Sequence, residues 1–184
     1  MRALLVAAVG AALLAGAAAE APAAADIPAS AVARVDGVAF VRGQRLTGAV
    51  VERFADGRMR SRTPYLRGVR HGVAEGWYAN GARAHRRAFR HGREHGTHSA
   101  WWEDGKPRLA ERFVDGRLEG EAREWFANGR PYRVFHYRRG QEQGQQQMWY
   151  ADGPSRAAYV VRDGRRYGVL GSKGCTGERN RGGG

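Results

Sequence analysis

VAEGWYANGARAHRRAFRHGREHG, residues 73–96, is the stretch that decides the fold. Its Asn80-Gly81 pair returns as Asp104-Gly105, Asn128-Gly129 and Asp152-Gly153, and Asp56-Gly57 precedes it, at a constant step of 24. Trp77, Trp101, Trp125 and Trp149 keep the same step. So do Gly68, Gly92, Gly116, Gly140 and Gly164, and a second glycine series from Gly48 to Gly168. A fixed period of this length marks a repeat array, in which each unit buries its apolar face only against its neighbours.

Each unit has two stretches of about eight residues around the Asn/Asp-Gly pair, closed by a Gly-x-x-x-Gly corner. Asn-Gly or Asp-Gly between apolar-containing stretches is the strongest short hairpin signal, because a type I′ turn needs positive φ at both central residues. Helices are excluded by the density of glycine and by a unit too short for two helices and their connections. The expected fold is therefore all-β: a single-layer antiparallel array of consecutive hairpins, with five full units over 49–168.

A two-residue turn also sets the faces, since side chains alternate along a strand and opposed residues share a side. It puts Tyr78 with Arg83, His85 and Phe89, and Trp77 with Glu75, Ala84, Arg86 and Ala88. Carried along the array, one face holds Phe54, Tyr78, Trp102, Phe126 and Tyr150 together with Tyr65, Phe89, Phe113, Tyr137 and Val161. The other holds the four tryptophans among Arg86, Arg108, Arg112, Arg123 and Arg156.

Working outward, Met1-Arg2 and the Ala/Leu/Val run that follows read as a secretory signal peptide within residues 1–25, cleaved after Ala19 or Ala25. The apolar run is short for a spanning helix, and no second one follows, so no transmembrane segment is expected after its removal. Residues 26–48 read as a lead-in, disordered through Ser30, and a degenerate N-terminal cap whose Phe40-Val41-Arg42-Gly43 echoes Tyr65-Leu66-Arg67-Gly68. Residues 169–184 read as a flexible tail carrying Cys175, the only cysteine in 184 residues, taken as a spectator thiol. The net charge of +13 is almost all arginine, Lys106 and Lys173 being the only lysines. That surplus either favours an anionic partner or belongs to a well-solvated surface.

The spacing Gly72-x4-Trp77-Tyr78-x-Asn80-Gly81-x7-Phe89-x2-Gly92-x3-Gly96 resembles the MORN repeat in its bacterial variant, antitoxin-like form. The resemblance covers 49–168 and implies an elongated scaffold associated with protein–protein contacts, membrane or lipid association and, in some bacterial members, an antitoxin role. The unit here is slightly longer than the family's usual one, and a signal peptide does not suit an antitoxin against a cytosolic toxin.

Little in the chain points to chemistry. His71 and His95 share a corner position with Glu119, a ligand set by type. Equivalent positions in successive hairpins lie two strands apart, about 9.6 Å, too far to share an ion, and Gln143 and Tyr167 end the pattern. Glu103, Asp104, Glu111, Glu119, Glu121 and Glu124 are the close acids, and none sits in a recognisable catalytic arrangement. No enzyme activity, metal or cofactor is expected. The tryptophans with Arg between them are the candidate binding row, since Arg over an aromatic ring supports cation–π contacts. The expected function is an exported scaffold, secreted or periplasmic, that binds a protein or an anionic envelope component (lipid or glycan). The alternative is an antitoxin or immunity-like protein sequestering a toxin. Export argues against nucleic acid.

Overall fold

A computed structural model describes residues 26–169. The five units form five consecutive antiparallel hairpins in one open, 16-stranded sheet. Their strands are Gly48–Arg53 with Met59–Leu66, Gly72–Trp77 with Arg83–Arg90, Gly96–Trp101 with Pro107–Val114, Gly120–Trp125 with Pro131–Arg138, and Gly144–Trp149 with Ser155–Arg162. Arg165–Val169 closes the array. The expected signal peptide and Cys175 lie outside the described residues, as does all of the expected tail beyond Val169.

The body of each hairpin has the expected register. Glu75 pairs with Arg86, Ala74 with Arg87 and Gly72 with Phe89. The turns differ from expectation. Asn80 is not at positive φ, whereas Gly81 is, at +87°. The Gly81 N–H donates to the Tyr78 carbonyl at 2.9 Å and the Tyr78 N–H to the Ala82 carbonyl at 2.8 Å. This is a type I turn followed by a left-handed glycine, the longer hairpin loop rather than type I′. The asparagine serves through its side chain: Asn80 Oδ1 accepts the Ala82 N–H at 2.8 Å, and Nδ2 donates to the Glu103 carbonyl of the next hairpin at 3.0 Å. Asn128 repeats both contacts, to the Arg130 N–H and the Ala151 carbonyl. Asp56 and Asp104 keep only the first and pair with Arg58 and Lys106, while Asp152 faces Pro154, which has no N–H to give.

The type I′ turns are at the other end of the hairpin. Arg67-Gly68, His91-Gly92, Asp115-Gly116, Arg139-Gly140 and Asp163-Gly164 all have both residues at positive φ. A left-handed Arg or His is uncommon, and here the neighbouring corner holds it. The Arg67 N–H donates to Thr47 Oγ1 at 3.0 Å and the Arg139 N–H to Glu119 Oε2 at 2.8 Å. The N–H groups of His91 and Asp115 point to Nδ1 of His71 and His95, each at 3.4 Å. The corner glycines add main-chain bonds between units, such as Gly92 N–H to the Arg70 carbonyl at 2.8 Å. The corners are thus a second ladder running the length of the array.

The longer loop leaves one extra residue on each returning strand. In the second unit Gly76 pairs with His85 but Trp77 pairs with Arg83, so Ala84 is the bulged residue. Arg60, Arg108, Tyr132 and Arg156 hold the same place elsewhere. A bulge re-aims side chains, and these turn onto the first aromatic residue of their own loop. The Arg108 guanidinium lies 5.5 Å from the Trp102 ring centre, and those of Arg60 and Arg156 lie 6.0 and 5.7 Å from Phe54 and Tyr150. The rings of Tyr132 and Phe126 are 5.0 Å apart.

The N-terminal segment also differs from expectation. Asp26–Pro28 is not a free lead-in: it runs parallel to Ala49–Val51 and covers the first edge of the array. A separate three-stranded sheet of Val32–Val35, Val38–Val41 and Gln44–Arg45 follows. Ala39, Leu46 and Val50 form a small buried core there, packed by Ile27, Val32, Val41 and Tyr65. Edge strands invite uncontrolled pairing, and here the terminal strand is only three residues long and ends in proline.

Candidate functional site

The sheet has two unlike faces. One carries the buried side chains: Ala74, Phe89, His98, Ala100, Phe135, Gln146, Tyr159 and Val161. Tyr78, Trp102 and Phe126 lie at its turn end, while Phe89, Phe113 and Tyr137 lie at its corner end. These are two separate rows with polar residues between them, not one stack. His98 and Gln146, both on this face, are buried. Each reaches the main chain beside a corner: His98 Nε2 lies 2.9 Å from the Ala88 carbonyl, and Gln146 exchanges hydrogen bonds of 2.9 Å with the N–H and carbonyl of His136. They fill the gaps where the corner interrupts strand pairing. Their sequence position reads Ala74, His98, Ala122, Gln146, without apolar pattern, so nothing in the chain marks them as buried.

The other face carries the tryptophans. Trp77, Trp101, Trp125 and Trp149 are half-buried. The register places Arg86, Arg112 and Arg123 on this side, opposite Glu75, Thr97 and Val134 respectively. Arg108 and Arg156, expected here, are instead turned to the buried face by the bulge. Arg83, expected beside Tyr78, is a tryptophan-face residue: it pairs opposite Trp77 and its guanidinium lies 5.8 Å from the Trp101 ring centre. Arg123 is held by Glu121 in a bidentate ion pair. Arg86 and Arg112 are exposed and make no ion pair among the described residues.

A groove of about 430 Å³ opens on the buried face between the third and fourth hairpins. Trp102, Arg108, Phe126 and Tyr132 line its turn end, with Leu109 and Glu124 beneath. Leu109 and Glu124 are direct cross-strand partners. One oxygen of Glu124 is taken by Arg133, and the other has no partner among the described residues.

Charged groups crowd the same face. Glu111 is pushed above the usual carboxylate range by burial first, then by Glu124 and Glu94, with Arg133 and Arg87 opposing. His85, which packs over Gly76, is held below its ordinary value by burial and then by Arg87 and Arg108. A carboxyl raised on folding favours the folded state while protonated, and that contribution is lost as pH rises through its folded-state value. Glu111→Gln is therefore expected to raise the thermal midpoint by a few degrees at neutral pH and to leave it unchanged below about pH 4. A variant no more stable than wild type at neutral pH would refute this.

The histidines and acids of the corners do not converge. No cluster of three or more His, Cys, Asp or Glu suited to a metal ion occurs among the described residues. His71, His95 and Glu119 act instead as acceptors for the next corner turn. No helix among the described residues is long and apolar enough to cross a membrane. The chain matches no protein-family model, and no curated protein matches it.

Proposed function

We propose that this chain is an exported, non-catalytic scaffold of the MORN-like kind, whose tryptophan face binds a protein or an anionic component of the cell envelope. One observation carries the reading: Arg86 and Arg112 stand exposed and unpaired on the face that holds the half-buried indoles, two and four residues along the strands from the tryptophan row. Unpaired guanidiniums recruit carboxylates and phosphates bidentately, and the indoles supply flat contact area on the same face. Export rests on residues 1–25, and the MORN-like assignment on the phased spacing through 49–168.

The test is sedimentation of purified protein with isolated cell envelope. Binding is expected at low ionic strength, to fall steeply with added salt, and to weaken severalfold in the Arg86→Ala/Arg112→Ala double variant. Binding indifferent to both would sink the electrostatic reading. Recovery of one stoichiometric protein instead would point to the antitoxin or immunity-like alternative.

A further inference from the structure

The groove between the third and fourth hairpins lies on the opposite face from the arginine pair. We infer that it is a binding site for a neutral pyranose ring, such as one residue of an uncharged glycan chain.

Trp102, Phe126 and Tyr132 give the groove aromatic surface, while Arg108 and Glu124 give it one fixed charge of each sign. The two charges do not neutralise each other, since Glu124 pairs with Arg133 and Arg108 makes no ion pair among the described residues. An acyl chain or a plain aromatic ligand would bury both charged groups without replacing their water, which is costly. An anionic ligand meets the carboxylate of Glu124, and a cationic one meets Arg108. A pyranose suits all of them: its C–H face lies on the rings, one hydroxyl donates to the free oxygen of Glu124, and another accepts from Arg108.

The site is not a by-product of the repeat. In the gap between the second and third hairpins the places of Tyr132 and Glu124 fall to Arg108 and Ala100. Between the fourth and fifth they fall to Arg156 and Met148. Only the third–fourth gap combines three aromatic rings with an acceptor.

The experiment is a calorimetric titration of the full chain with two neutral tetrasaccharides, β-1,4-linked glucose and β-1,4-linked N-acetylglucosamine. Indole fluorescence is read in parallel, because Trp102 lies in the groove. Saturable binding of at least one sugar, unchanged between low and high salt, is expected. Phe126→Ala and the milder Arg108→Ala should each weaken it about tenfold or more. Phe54→Ala, at the same position in the first hairpin, should bind as wild type. No saturable binding of either sugar by folded protein would overturn the inference. So would unchanged affinity in a folded Arg108→Ala variant, or binding confined to an acidic oligosaccharide and abolished by salt. That last result would leave the proposal for the tryptophan face intact, since Arg86 and Arg112 are untouched by these variants.

Discussion

Gln146→Leu is expected to destabilise the protein by about 2–4 kcal/mol, although leucine matches glutamine closely in size. Gln146 is fully buried, and its Oε1 accepts the His136 N–H at 2.9 Å. Its Nε2 donates to the carbonyls of His136 at 2.9 Å and Gln143 at 3.2 Å. The His136 carbonyl would keep a partner, the Gln143 N–H at 2.9 Å. The His136 N–H would have none, and an orphaned buried donor costs about 1–3 kcal/mol beyond the bonds lost. His98→Leu, at the same position two units earlier, is the internal control. The Ala88 carbonyl that faces His98 also accepts the His95 N–H at 2.9 Å, so that change orphans no main-chain group there. Leucine would also fit between Phe89 and Phe113, whose rings lie 5.7 and 4.6 Å from the imidazole. Its cost should stay near 1 kcal/mol. Denaturant midpoints with equal slopes decide it, and a His98→Leu as damaging as Gln146→Leu would refute the capping role.

Much of the fold is legible in the chain because period and alternation survive any local variation in the turn. Glu75 opposite Arg86 and the separation of Trp77 from Tyr78 follow from the hairpin alone. What the sequence hides is which glycine pair takes which turn. Asn80-Gly81 has the residues a type I′ turn prefers, yet the asparagine is used for its side-chain acceptor and its reach to Glu103. Arg67-Gly68 and His91-Gly92 take the type I′ geometry against the preference of Arg and His. Their strain is offset by bonds from the adjacent corner, a tertiary effect that no local pattern displays. The bulge follows from that exchange of turns, and it moves Arg108 and Arg156 away from the tryptophans. The groove is hidden for the same reason: it uses the bulged residues Arg108 and Tyr132, which strict alternation places on the other face. The parallel strand at Asp26–Pro28 was hidden differently, since three residues ending in proline carry no strand signal of their own.

Gly68→Ala tests whether the N-terminal cap is docked where the corner ladder begins. Gly68 has φ of +85°, and its N–H donates to the Leu46 carbonyl at 2.7 Å while its own carbonyl accepts the Ala39 N–H at 2.8 Å. An added Cβ would stand 2.5 Å from Val38 Cγ1 and 3.0 Å from the Ala39 carbonyl oxygen. Valine is stiff at χ1 and the carbonyl belongs to the main chain, so neither yields cheaply. Gly116 has almost the same φ, +81°, but an added Cβ there meets nothing closer than Arg93 Cβ at 3.9 Å. Both alanine variants carry the left-handed penalty of about 1–2 kcal/mol. Only Gly68→Ala adds overpacking of about 1–3 kcal/mol. It should therefore unfold at the lower denaturant concentration, and limited proteolysis should cut it first between Val32 and Arg45, where the cap loosens from the array. Gly116→Ala should leave that segment protected. Equal midpoints and the same first cleavage site in both variants would mean that the cap does not depend on Gly68.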